Sequence, residues 1–234
     1  MPYDDTTTIA GRLDRVRTRI HDAERRFGRA AGSVALLAVS KVQPAAKIVA
    51  AHAAGQTAFG ESYAQEALPK QAELHALGLE WHFIGRVQSN KTRDIAAGFD
   101  WVHSLCDIKH ARRLNGQRRD DQPPLRVCLQ VNLSGETSKA GLAPEQVAAF
   151  IDACAGLDRL RIEGLMTLPA ASADFDTQRR PFAALRALRD ALARPTLPLP
   201  VLSMGMSDDL EAAIAEGATI VRVGTAIFGP RLPP

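Results

Sequence analysis

The sequence is poor in the residues that mark several common protein classes. It has three cysteines, Cys106, Cys128 and Cys154, with an odd count and no C-x-x-C spacing, so nothing suggests a disulfide framework and a reducing cytoplasm is expected. Aromatic residues make up 5%, which leaves the core to aliphatic side chains. Neither charge sign dominates: Lys+Arg 29 against Asp+Glu 26 gives a net charge of +3, too small a surplus to argue for nucleic acid or an anionic membrane as partner. No apolar run approaches the length of a membrane span, and the opening Met1-Pro-Tyr-Asp-Asp-Thr is polar with no apolar core of a signal peptide. A soluble protein of the cytoplasm is the expectation.

What is present is alternation. Ile9, Leu13, Val16, Ile20, Ala23 and Phe27 recur at helical spacing, with Gly28 placed to end the helix. Its other face mixes Arg12, Arg15, Arg17, Arg19, Arg25 and Arg26 with Asp14, Asp22 and Glu24, as a solvated surface does. Eight short apolar runs follow, at 34–41, 57–61, 81–85, 101–105, 126–132, 161–167, 201–205 and 219–224, the first seven each followed by a helical stretch and the last close to the Pro-Arg-Leu-Pro-Pro end. Pro69 predicts a kink or a split in the helical stretch ending near Leu77. Ser89, Asp107 and Ser207 are placed to cap helices, and another helix opens at Pro144. No composition shift marks a second domain, and the Gly-rich first turn of a doubly wound sheet is missing. The expected fold is a single (β/α)8 barrel over residues 1–234, with an amphipathic helix within residues 1–30 packed on it.

In a barrel the first and last strands are neighbours, which brings Lys41 at the end of strand one close to Arg222 on strand eight. A desolvated lysine at a strand's carboxyl end is an amine nucleophile toward a carbonyl, whereas the plain alternative is a lysine leaving for solvent. An arginine between Val221 and Val223 needs a partner, and a structural carboxylate is the ordinary one. The turns Ser203-Met-Gly-Met-Ser207 and Gly224-Thr-Ala-Ile-Phe-Gly229 place Gly205 and Gly224 where backbone amides can approach a phosphate. Asp208 and Asp209 would repel that phosphate unless turned outward. An amine, a fixed cation and a phosphate cradle at one barrel mouth suit pyridoxal 5′-phosphate (PLP). Lys41 would form the imine and Arg222 would face the pyridine nitrogen. Arg stays protonated, so it would donate to an unprotonated ring and leave a weak electron sink. Asn132 and Met166, at strand ends, are candidates to line the pocket, as is Ser203. His82 and His103 lie on separate strands with no evident carboxylate or thiolate companion, which gives no metal site.

Leu36-Leu-Ala-Val-Ser-Lys41, Phe59-Gly-Glu-Ser-Tyr63, Trp81-His-Phe-Ile-Gly85, Gln88-Ser-Asn-Lys91, Ser138-Lys-Ala-Gly141, Gly164-Leu-Met166, Leu202-Ser-Met-Gly-Met-Ser-Asp-Asp209 and Arg222-Val-Gly-Thr-Ala-Ile-Phe-Gly229 together resemble the pyridoxal phosphate homeostasis protein family. The resemblance runs from strand one to strand eight. It implies a barrel like the amino-terminal domain of fold-type III alanine racemases, with the cofactor on Lys41 and the pyridine contact at Arg222. It also implies phosphate contacts at Ser207, Gly224, Thr225 and the Met206 backbone. Lys139 falls on a family lysine proposed to help cofactor exchange. Ser62 stands where the family has asparagine, and Arg86-Val87 replaces a Pro-Leu pair.

The racemases draw a tyrosine for the second face of the cofactor from another domain, and this sequence has only Tyr3 and Tyr63. His103 is a conceivable substitute, although a strand-end histidine bonded to backbone or water is commoner. The expectation is a monomeric cofactor carrier that serves PLP-dependent apo-enzymes without efficient catalysis. A weak amino-acid racemase, or a barrel using Lys41 on a sugar phosphate, are the alternatives.

Overall fold

The computed structural model describes residues 8–134 and 140–230. Eight parallel strands close in chain order into one barrel. They are β1 (Ala35–Val39), β2 (Ala58–Glu61), β3 (Glu80–Phe83), β4 (Trp101–Leu105), β5 (Leu125–Gln130), β6 (Leu160–Met166), β7 (Val201–Ser203) and β8 (Ile220–Val223). The seam is the β1–β8 ladder, in register from Ala35↔Ile220 to Ala38↔Val223. Helix α1 (Ile9–Arg26) precedes the barrel. The crossovers carry α2 (Ala45–Ala53), α3 (Ala64–Glu73), α4 (Thr92–Gly98), α5 (Ile108–Gln117), α6 (Val147–Ala153), α7 (Phe175–Leu192) and α8 (Leu210–Ala215), and α9 (Thr225–Phe228) follows β8.

The strands are short apolar runs because both of their faces are covered. Phe59, Trp81, Phe83, Val102, Val127, Leu129, Leu165, Leu202, Val221 and Val223 belong to the large core shared with the helices. The alternate residues fill the barrel, where a small separate apolar cluster of Trp101, Cys128 and Met166 sits among buried His82, His103, Ser203 and Arg222. Helix α1 starts where the Thr8 side chain accepts from Gly11 N, and it buries Leu13, Val16, Ile20 and Ala23. That face packs on α2, α8 and α9, the helices that follow β1, β7 and β8.

Three local expectations are corrected. Helix α3 runs through Pro69 to Glu73, and past the C-cap Leu74 a 3-10 turn (His75–Leu77) takes over. Pro69 and Gln65 are exposed, so water can serve the carbonyl that the proline leaves without an amide. Ser89 does not cap a helix: it opens a 3-10 turn (Ser89–Lys91) ahead of α4, and its Oγ lies 3.0 Å from His110 Nε2. Helix α8 starts at Leu210 with Asp209, not Ser207, at the N-cap position. Asp107 does cap α5, accepting from Lys109 N, and Pro144 opens a 3-10 turn (Pro144–Gln146) that leads into α6.

Gly164 shows how tightly β6 lies on β7. A Cβ added there would stand 1.8 Å from Val201 O. Gly164→Ala is expected to lower unfolding stability by about 3 kcal/mol, the upper range for overpacking, read as a drop in the urea midpoint.

Candidate functional site

Strand β1 ends at Val39, and the next residues are fastened from behind. Ser40 N donates to Gly60 O at 3.0 Å, and Ser40 Oγ donates to Glu61 Oε1 at 2.7 Å. Lys70 of α3 donates to both Glu61 Oε1 (2.8 Å) and Ser40 O (3.1 Å). Burial raises the Glu61 carboxyl, opposed by Lys70 and Ser40. Glu61 thus makes a salt bridge that also fixes the backbone from which Lys41 departs. Directly after Lys41, Val42 has φ 62, a strained value for a β-branched residue, and its amide donates to Glu66 Oε2 at 3.2 Å.

On the other side of the seam Arg222 pairs in register with Leu37, two residues before Val39. Its guanidinium is buried, and burial pushes it down to about 10, still protonated at neutral pH. Nη1 donates to Ser203 Oγ at 2.6 Å and Nη2 to Thr167 O at 2.9 Å. Among the described residues no carboxylate lies within salt-bridge distance of it, although the charge of Asp209 supports the protonated form from farther away. A guanidinium has five donor hydrogens, and two serve these contacts.

Lys41 and Arg222 line one cavity of about 480 Å3 with Met166, Met206, Ser207, Gly224 and Thr225, a volume suited to a small cofactor. Gly224 sits where β8 lies close on β1: a Cβ there would stand 3.2 Å from Val39 O, a tight contact that would ask the neighbour to give by a few tenths of an ångström. The bonds of α9 begin with Ile227 N donating to Gly224 O. Gly205 has a different reason: φ is 94 and a Cβ would lie 2.6 Å from Ala213 Cβ, so packing against α8 and backbone conformation demand it, and it does not line the cavity.

The remaining candidates part ways. Ser203 is fully buried beneath Arg222 and supports it without lining the cavity. Asn132 lies in a neighbouring cavity with Gln130 and Arg86, which shares only Ile84 and Leu168 with the first. Lys139 lies outside the described residues. Of the two aspartates, Asp208 lines the cavity, whereas Asp209 turns inward and its Oδ1 accepts from Met206 N at 2.6 Å. The Met206 amide assigned to phosphate is therefore held by a carboxylate, which burial raises.

Two features escaped the reading of the residues. Arg19, placed on the solvated face of α1, reaches the cavity, donating to Ser207 O at 2.9 Å while paired with Glu211. The barrel interior also holds a polar chain. His103 Nδ1 is 2.8 Å from Ser203 Oγ, and His103 Nε2 is 2.9 Å from His82 Nδ1. His82 Nε2 lies 3.4 Å from Glu80 Oε2, so His82 has the carboxylate companion that strand spacing hid. Among the described residues no group of three or more His, Cys, Asp or Glu could hold a metal, and no helix is long and apolar enough to cross a membrane.

Comparison with known proteins places this architecture. Residues 12–232 match the family model for the alanine racemase N-terminal domain. A relative from Pseudomonas aeruginosa named pyridoxal phosphate homeostasis protein is 56% identical, over 96% of this chain and 96% of the relative. The chain belongs to the pyridoxal phosphate homeostasis protein family. A family member of the same name from Escherichia coli K12 is 47% identical over 95% of this chain and 97% of that one. The structure of PipY from Synechococcus elongatus, solved with PLP bound, is 40% identical with a TM-score of 0.84, covering 95% of this chain and all of that one. Alanine racemase from Corynebacterium glutamicum, at 20% identity and TM-score 0.63 over 94% of this chain and 62% of that one, shares the fold.

The histidine pair gives this family member a pH signature. Burial lowers His82 and lowers His103 well below 6.5, so the folded state favours neutral imidazoles. The unfolded chain then binds more protons as pH falls below 6.5, and the stability held above that pH is lost toward the folded pKa values. Melting temperature is expected to fall between pH 7.5 and 5, about the window that brackets the free-histidine value, and the slope to flatten in His103→Gln.

Proposed function

We propose that this chain binds pyridoxal 5′-phosphate reversibly and covalently at Lys41 and works in PLP homeostasis. It holds the cofactor in the cytoplasm as a monomer and yields it to apo-enzymes rather than turning over amino acids. The observation that carries the reading is an amine meeting, over one cavity, a buried guanidinium that has no carboxylate within salt-bridge distance among the described residues. The names of the relatives and the PLP-bound PipY structure support it.

The residues present fit the group. Arg222 offers unused N–H donors to an acceptor such as a ring nitrogen, anchored from below by Ser203 and Thr167. Ser207, Gly224 and Thr225 form the wall suited to the phosphate, and Arg19 adds positive charge behind Ser207. Met166 supplies an apolar surface for the ring. Lys139 is proposed to help exchange, and Asn132 to act from the adjoining cavity.

When bound, the cofactor supplies an electron sink whose strength depends on protonation of its ring nitrogen. Arg222 offers that nitrogen a donor that keeps its own proton, so this chain does not strengthen the sink. Racemisation needs a second acid–base group opposite Lys41. Among the described residues no histidine or tyrosine lines the cavity: His103 is fully buried below it, and Tyr63 starts α3 at the surface. The site is built to hold and release.

Purified protein with added PLP is expected to show a visible absorption band that borohydride fixes onto the Lys41 peptide and that Lys41→Ala lacks. Arg222→Gln should weaken binding by about tenfold or more, the scale of a lost charge-assisted hydrogen bond. A protein that stays colourless would overturn the reading. Exchange of an amino acid's α-proton in labelled water, lost with Lys41, would replace the carrier by a racemase.

A further inference from the structure

The polar chain inside the barrel spans it from end to end. Glu80 opens β3 at the amino-terminal side, with its side chain 39% exposed, and lines a surface cavity there with Arg17 and Gln56. Trp101 Nε1 and Arg126 Nη1 both donate to Glu80 Oε1, at 2.9 and 3.2 Å, and hold the carboxylate so that Oε2 faces His82. Trp101 also stacks on the His82 ring at 5.5 Å and 6°. From His82 the chain passes through His103 and Ser203 to Arg222 at the mouth.

We infer that His82, His103 and Ser203 form a one-directional hydrogen-bond chain, oriented at its far end by the Glu80 carboxylate beside His82, that positions the Arg222 guanidinium from the opposite end of the barrel. The direction follows independently from each end. His82 Nε2 makes no hydrogen bond, but it is buried 3.4 Å from Glu80 Oε2. A lone pair there would face the carboxylate and an N–H is favoured electrostatically, so the proton sits on that nitrogen. His82 Nδ1 must then accept, His103 Nε2 must donate to it, and His103 Nδ1 must accept from the Ser203 hydroxyl. At the other end Arg222 can only donate, so it takes a lone pair of Ser203 Oγ and leaves the Ser203 hydrogen for His103. In the reverse order Ser203 would accept from both neighbours, with its own hydrogen unused by either. Both imidazoles are neutral in this arrangement, which keeps a second buried positive charge away from Arg222.

Ser203, His103, His82 and Glu80 are positioning residues: none lines the cavity of Lys41. Their consequence for the cofactor rests on the function proposed above, but the chain itself can be read without it. In the unliganded protein, 15N–1H correlation spectra should show both His82 and His103 protonated on Nε2 and bare on Nδ1. Glu80→Gln keeps an acceptor oxygen and should preserve both tautomers. Glu80→Leu should mix the His103 tautomers and weaken PLP binding by about fivefold, as expected when one hydrogen bond is compromised, with Lys41 still the borohydride-labelled residue. If Glu80→Leu does not fold, Ser203→Ala cuts the chain beside Arg222 and should mix the His103 tautomers and weaken PLP binding in the same way. A wild-type His103 protonated on Nδ1 would overturn the inference. So would tautomers that ignore both variants, or tautomers that change while PLP affinity does not. Wild-type protein that never binds PLP would remove the proposed function and the positioning role, while the tautomer spectra would still decide whether the chain exists.

Discussion

The burial of one positive charge governs the rest of this structure. Arg222 enters the barrel from β8, and the seam sets it opposite Leu37, just before β1 ends. Removing a guanidinium from water is costly, and with no carboxylate within salt-bridge distance among the described residues the offset comes from a serine, a backbone carbonyl and the more distant charge of Asp209. Ser203 in turn needs His103, and His103 needs His82. The interior of this barrel is therefore a polar shaft with a small apolar cluster beside it, and the aliphatic core lies between strands and helices.

The fold was legible because a strand covered on both faces must be apolar almost throughout. The run 34–41 and its seven successors marked β1 to β8 to within two residues at either end, with the runs of β1, β3, β5 and β7 continuing two residues past the strand. What misled was local chemistry that only the packed chain decides. Ser89 and Ser207 are good N-caps in isolation. In the fold a 3-10 turn precedes α4, and Asp209 captures the turn before α8. Pro69 costs helix α3 an amide but does not split it, and both it and Gln65, whose carbonyl loses that donor, are exposed residues.

The site was legible where topology alone brings residues together. Lys41, Arg222, Gly224 and Thr225 stand at the carboxyl ends of adjacent strands, and Ser207 follows the strand beside them. Asn132 was placed in the same pocket on its strand-end position, but the β5 and β6 ends flank a separate hollow. Arg19 could not be found this way, because its role depends on α1 folding across α8. The His82–His103 contact could have been: both occupy inward positions of neighbouring strands, a signal that period-two alternation carries.

The clamp between Asp209 and Met206 bears on how firmly such a mouth can grip an anion. The carboxylate already occupies the Met206 amide that the family resemblance assigned to phosphate. An incoming anion that takes this amide must first evict a negative group of the protein's own, and that group stays tethered three residues away, ready to return. Whatever the full cavity gains at this amide is reduced by the bond surrendered there, which lowers affinity without removing a single contact from the filled state.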